Sequence, residues 1–171
     1  MVRLLEKVIK FCIWWSNKEF VGFVGIFFIL ALFARLISII PSFISSILFP
    51  VEESVSRAEE IISNDGVVLS FFMLCIIVPI LETLIFQHVA IYFIKKRTKK
   101  TYLQILFSAI LFGVFHPYSF SYIIFATLMG GVFATGFFFY KRTKGTKMAI
   151  LATSVTHGLS NLISMASVLT S

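Results

Sequence analysis

The chain has 171 residues, 58% apolar and 13% charged, with a mean hydropathy of +0.97 and a formal net charge of +7. That hydropathy excludes an ordinary soluble domain, and the length leaves room for one helical membrane domain but not a second sizeable one. The positive balance does not indicate nucleic acid, because Lys and Arg cluster between apolar segments, where they set topology and anchor anionic lipid. Cys12 and Cys75 lie in unrelated settings, so neither a disulfide nor a thiolate metal site is expected. The apolar stretch after residue 20 is too long for the core of a cleaved leader.

In chain order, Arg3, Glu6, Lys7 and Lys10 repeat at helical spacing opposite Val2, Leu5, Ile9 and Cys12, and Trp14 and Trp15 follow. This pattern predicts an interfacial amphipathic helix over residues 1–19, with both tryptophans at headgroup level. Phe20 to Ile40 is the first expected span. Arg35 sits within five residues of its far end. Snorkelling to the interface is the expected role, and holding a carboxylate the alternative. Pro41 ends the span, and the stretch to Pro50 is expected along the outer surface. Residues 51–65 carry Glu52, Glu53, Glu59, Glu60 and Asp65, with Val55, Ala58 and Ile62 spaced for a short solvated helix.

The second span, 67–94, is an apolar run that holds Pro79 and Glu82 and stops at Lys95, Lys96, Arg97, Lys99 and Lys100. A carboxylate near the centre of a spanning helix costs about 2.5–3.5 kcal/mol on insertion scales, so it marks a functional site by default. A third segment, Thr101 to His116, ends at Pro117, which disfavours helix in the residue before it. Its helical rise of about 24 Å falls short of a roughly 30 Å hydrocarbon core. The helix is therefore expected to break within the membrane or just under its outer face, with His116 at the edge of a wet cavity. The fourth span, 121–140, has Ala126, Gly130, Gly131, Ala134 and Gly136, which read as a helix-packing seam. Lys141, Arg142, Lys144 and Lys147 follow, and the fifth span, 148–170, carries His157 and Asn161.

Segments 1–19, 95–100 and 141–147 hold thirteen of the fifteen Lys and Arg, which places the N-terminus inside and the C-terminus outside. The expected fold is an all-α polytopic bundle of about five spans, in a bacterial cytoplasmic membrane. Residues 1–19 form its interfacial helix, 20–66 the first span and acidic outer segment, and 67–170 the core. Counted from the nearest basic cluster or helix start, Glu82 lies about 20 Å from the inner surface and His116 about 22 Å. His157 and Asn161 come out at about 15 and 21 Å. Four polar groups from three helices thus share one layer.

His157 and Asn161, four apart, share a helix face, as do Phe112 and His116, so the phenyl group can pack beside the imidazole. A carboxylate, two imidazoles and a carboxamide suit hydrolysis. Glu82 can take a proton from water, with desolvation raising its basicity. His116 and His157 can share that water or ligate zinc or another divalent metal, and an Asn161 N–H can stabilise an oxyanion. A mechanism with no metal uses the same residues. Thr83 and Gln87 read as groups that hydrogen-bond between helices or support Glu82. His88, near the inner interface and off the Glu82 face, reads as packing.

These residues resemble the CPBP family, the CAAX prenyl endopeptidase and bacteriocin-processing group also called Abi. Its pattern is Glu-Glu-x-x-x-Arg, then Phe-x-x-x-His, then His-x-x-x-Asn or a similar residue, on successive membrane helices. The matching stretches are Glu82 to Gln87, Phe112 to His116 and His157 to Asn161, within about residues 67–170. The resemblance implies an intramembrane endopeptidase in which Glu82 activates water, His116 and His157 help bind that water or a metal, and Asn161 serves the oxyanion. Thr83 stands where the family has a second Glu, and Gln87 where it has Arg. Because both members of that pair are replaced, neither leaves an orphan charge.

The expected function is therefore hydrolysis of a peptide bond in a membrane-associated peptide or lipid-modified protein. Lipid is the other expected partner, with no nucleic acid and no obligate protein partner. A non-catalytic relative acting in bacteriocin self-immunity or as a membrane scaffold is the main rival, and an ion or proton pathway through Glu82 is a third.

Overall fold

Long apolar runs broken by Pro, Gly and basic clusters leave the backbone no partner but itself, and the chain folds as helices. The structure is a computed structural model that describes residues 2–48 and 57–170, and among these there is no strand. The elements are α1 (Val2–Ser16), α2 (Phe20–Ile37), α3 (Ile39–Leu48), α4 (Arg57–Phe72), α5 (Val78–Glu82), α6 (Ala90–Lys95), α7 (Thr101–Val114), α8 (Phe120–Lys144) and α9 (Thr146–Leu169). Two π-helical stretches, Met73–Ile77 and Thr83–Val89, join α4 to α5 and α5 to α6, so the chain stays helical without a break from beyond Gly66 to Lys95.

Three helices are long and apolar enough to cross a membrane: Phe20–Pro41, Glu60–Lys95 and Phe120–Lys144. Large apolar side chains face outward along them, with Val21 82%, Val68 73% and Phe33 59% exposed. An exterior of that kind belongs in lipid. The chain is an integral membrane protein, an all-α bundle. The other two expected spans correspond to α7, with only 14 residues, and to α9, whose 24 residues include many Ser and Thr.

Trp15 departs from its expected place at headgroup level. It is fully buried, stacked on Phe23 with centroids 4.5 Å apart, and its indole N–H donates to the Phe23 carbonyl at 2.9 Å. Only Trp14 is exposed, with Lys18 Nζ over its ring at 4.3 Å. The chain turns from α1 into α2 within three residues, which folds Trp15 onto the first turn of α2 and leaves Trp14 outside. Phe23 in turn stacks on Tyr140 of α8, with centroids 3.8 Å apart. Phe27, Phe133 and Phe137 complete this buried aromatic core.

The stretch after Pro41 is the helix α3. Pro41 lies in its first turn, where a missing N–H costs little. The acidic segment overlaps α4 only from Arg57; residues 49–56, with Glu52, Glu53 and Val55, lie outside the described residues. Within α4 the helix breaks at Gly66, with φ 75° and ψ 162°, at the expected start of the second span. Such a φ suits glycine, which has no Cβ to clash. The basic segment after the fourth span continues its helix. α8 runs on through Lys144, and Gly145 alone, at φ 86°, turns the chain into α9.

The small-residue seam is a contact surface at two of its glycines. A Cβ on Gly130 would lie 2.8 Å from the Phe112 Cβ on α7, and one on Gly136 would strike the Phe27 ring on α2. Gly131 has room, with Ala109 Cβ at 3.8 Å.

Candidate active site

Pro79 shapes the helix that carries Glu82. It has no N–H, and its ring presses on the carbonyl four residues back. The turn before it opens into the π-helical Met73–Ile77. A π turn pairs residues five apart, so Pro79 leaves the Leu74 carbonyl without a backbone donor. Asn161 of α9 takes that place, its Nδ2 donating to Leu74 O at 2.8 Å. Gly158, one turn earlier in α9, lies so close to Cys75 that a Cβ would collide with the Cys75 carbonyl oxygen. Pro79, Gly158 and Asn161 thus bring α9 against the Glu82 helix. The second π stretch is tied the same way, with the buried Ser108 hydroxyl of α7 donating to Phe86 O at 2.6 Å.

The expected set converges. Glu82 Oε1 lies 3.3 Å from His116 Nε2, and its Oε2 lies 3.5 Å from His157 Nε2. The three side chains are mostly buried, with 19%, 12% and 7% of their surfaces exposed for Glu82, His116 and His157. α7 ends at Val114, and His116 sits in the connection to α8 just before Pro117. Its Nδ1 is 2.6 Å from the Phe112 carbonyl. A carbonyl only accepts, so Nδ1 carries a proton and Nε2 is the atom turned to the carboxylate. The contact between His116 Nε2 and Glu82 Oε1 is a hydrogen bond when one of the two atoms carries a proton.

Aromatic rings fix both imidazoles. The Phe112 centroid lies 4.5 Å from that of His116 and 5.7 Å from that of His157, and Phe133 lies 4.6 Å from His157. Phe112 therefore positions His116 twice, with its ring and with its carbonyl. The set opens on a cavity of about 260 Å³, lined also by Asn161, Tyr118, Tyr122, Ser160 and Arg35.

Thr83 and Gln87 do not join the set. Both are fully buried off the cavity, and neither Thr83 Oγ1 nor either polar atom of the Gln87 amide has a hydrogen-bond partner among the described residues. The expectation that they hydrogen-bond between helices does not hold for direct protein partners. Next to Glu82 along the helix, Thr83 turns to a different face, and Gln87 one turn on lies below it. His88 packs near Phe137, centroids 6.1 Å apart, outside the cavity.

Arg35 does not snorkel outward. Its guanidinium Nη2 donates to Ser160 O at 3.0 Å and to Ser164 Oγ at 2.8 Å, both on α9, and the side chain lines the Glu82 cavity. Sequence reasoning missed this orientation, as it missed Tyr122 and Ser164. An arginine among apolar residues was the only signal, and its direction depends on how α2 and α9 pack.

A catalytic zinc needs three protein donors converged on one point, about 2.0–2.2 Å from the ion. Among the described residues no three His, Cys, Asp or Glu side chains are so arranged. Glu82 instead meets each imidazole through a different oxygen.

No curated protein and no solved structure matches the chain. Residues 64–163 match the family described as type II CAAX prenyl endopeptidase, Rce1-like. That stretch is well over half of the chain and spans Glu82, His116, His157 and Asn161. The chain belongs to the Rce1-like family of type II CAAX prenyl endopeptidases.

Proposed function

We propose that this chain is an active intramembrane endopeptidase that cleaves a membrane-associated peptide or lipid-modified protein, with Glu82 as the base that activates water. One observation carries the reading: Glu82 faces the Nε2 atoms of His116 and His157 with separate oxygens, at the wall of a cavity inside a lipid-facing bundle. Family membership supports the reaction class.

In the proposed reaction a water in the cavity gives its proton to Glu82 as its oxygen attacks the scissile carbonyl. His116 Nε2–H donates to the developing oxyanion or to the attacking oxygen. His157 Nε2–H holds the second carboxylate oxygen in place. A carboxamide has two N–H bonds. One of those on Asn161 is engaged with Leu74 O, and the other is available to the oxyanion. Glu82 then returns its proton to the leaving amine, which frees the C-terminal fragment. Base catalysis of this kind is worth about 10²–10⁴ in rate. No step requires a metal.

The test is cleavage by the purified full chain in lipid vesicles, against a peptide digest of its host membrane. Glu82→Ala and His157→Ala should each abolish new fragments, and a divalent-metal chelator should leave the wild type unchanged. Inactivation by chelator with rescue by zinc would replace water held by Glu82 with metal catalysis. Fragments that persist in folded Glu82→Ala would remove the protease reading in favour of a non-catalytic role.

A further inference from the structure

At the end of the bundle where α6 and α8 stop and α7 begins, four cations line one cavity of about 510 Å³. Lys95 lies in the last turn of α6, Lys99 in the connection to α7, and Lys141 and Arg142 in the last turn of α8. Their positive charge assigns this end to the cytoplasmic side. The cavity shares no lining residue with the one at Glu82.

The connection that carries Lys99 is tied down. The Thr98 N–H donates to Ile94 O at 2.9 Å, the Lys100 N–H to Thr98 Oγ1 at 3.2 Å, and Nε2 of the buried Gln104 to Thr98 O at 2.9 Å. Lys141 and Arg142 stand over the Phe137 and Phe138 rings, at 5.5 and 5.4 Å. The four head groups therefore come from two helices and a fixed connection, not from a loose tail.

Like charges gathered in one cleft repel. No Asp or Glu among the described residues lines this cavity or lies within 4 Å of any of the four cations. Basic residues outside it have partners of their own, such as Lys144 on Glu19 at 3.0 Å and Lys96 over the Tyr92 ring at 4.5 Å. One turn deeper the wall becomes apolar, with Ile91 before Lys95 and Phe138 before Arg142. A phosphate attached to hydrocarbon matches that order of charge and apolar surface, whereas a free anion would use only the cations.

We propose that this cavity binds the phosphodiester headgroup of an anionic membrane lipid. Lys95, Lys99, Lys141 and Arg142 surround the phosphate, and the start of an acyl chain lies along Ile91 and Phe138. Basic pockets between membrane helices on the cytoplasmic side take headgroups of this kind. General attraction to a charged leaflet treats every surface lysine alike, while a pocket distinguishes the ones that line it. The volume equals that of about seventeen waters, enough for a glycerophosphate group. A lipid bound there joins α6 to α8 across the start of α7 and stabilises that end of the bundle by mass action. The site is independent of the chemistry at Glu82.

The experiment uses the full chain, stripped of lipid in dodecyl maltoside, with the first bound lipid titrated by native mass spectrometry. The probes are dioctanoyl phosphatidylglycerol, dioctanoyl phosphatidylcholine and inorganic phosphate. Phosphatidylglycerol should bind about five- to thirtyfold more tightly than phosphatidylcholine, the range of one or two lysines at a charged headgroup. Lys99→Gln combined with Lys141→Gln should erase that preference. Lys96→Gln combined with Lys147→Gln, an equal loss of charge outside the cavity, should keep it. Inorganic phosphate at millimolar concentration should not displace the lipid. Equal binding of the two lipids, a preference that survives in the folded Lys99→Gln, Lys141→Gln protein, or one lost equally in the outer pair would each overturn the site. Displacement by millimolar phosphate would overturn its assignment to a lipid. Should the cavity pair fail to fold, Lys99→Gln alone, in an exposed connection, should weaken the preference severalfold, and an unchanged preference would overturn the site instead.

Discussion

Gly158→Ala tests how α9 is seated on the Glu82 helix. The added methyl would collide with the Cys75 carbonyl oxygen, which is backbone and cannot rotate aside. Relief requires α9 to back away from the π-helical turn, and the Asn161 bond to Leu74 O, 2.8 Å long, is one turn from the collision. Forced overpacking costs about 1–3 kcal/mol, and a lost hydrogen bond about 0.5–1.5 kcal/mol. The sum, about 2–4 kcal/mol, corresponds to a fall of roughly 5–15 °C in melting temperature for a chain of this size. The assay is thermal unfolding of the detergent-purified protein, with Gly131→Ala as the control. The control methyl meets Ala109 Cβ at 3.8 Å, an ordinary contact, and should change stability by no more than about 0.5 kcal/mol. Equal melting of Gly158→Ala and the control would refute the close seating of α9 on Cys75.

Trp15→Ala should lose about 3–5 kcal/mol, as for other large aromatic truncations in a core, while Trp14→Ala should stay within about 0.5 kcal/mol; melting of the two variants decides between core and headgroup placement. Phe112→Leu keeps the carbonyl that holds His116 Nδ1 but loses the ring that touches both imidazoles. Its cleavage rate should fall with little change in substrate affinity, measured as a kcat effect, and an unchanged kcat would mean the ring does not position the imidazoles. Thr83→Val and Gln87→Leu replace buried polar groups without protein partners. Each should melt at or above the wild-type temperature, because removing an unpaired buried polar group is neutral or stabilising; a drop of more than about 1 kcal/mol would show that those groups are satisfied in the protein.

The convergence of Glu82, His116 and His157 was legible in the sequence because helical rise is regular and basic clusters mark a reference plane. Thirteen residues from Lys95 and fifteen from Thr101 fix two depths without any knowledge of packing. Pro117 likewise announces where α7 must stop. Azimuth was less legible. Which way Arg35 or Trp15 points depends on the neighbour each helix meets, and the apolar periodicity of α2 is too uniform to mark one face. The π-helical stretches were hidden for a related reason. Pro79 signals a disrupted turn, but whether the helix kinks or widens depends on the donor that reaches Leu74 O, and Asn161 is 82 residues further on.

The most direct test of the central claim is a survey of protein termini in cells that carry the wild type or Glu82→Ala at equal expression. The proposed protease predicts termini present with the wild type and lost with Glu82→Ala. Identical termini in both cells, with the mutant folded and inserted, would contradict it.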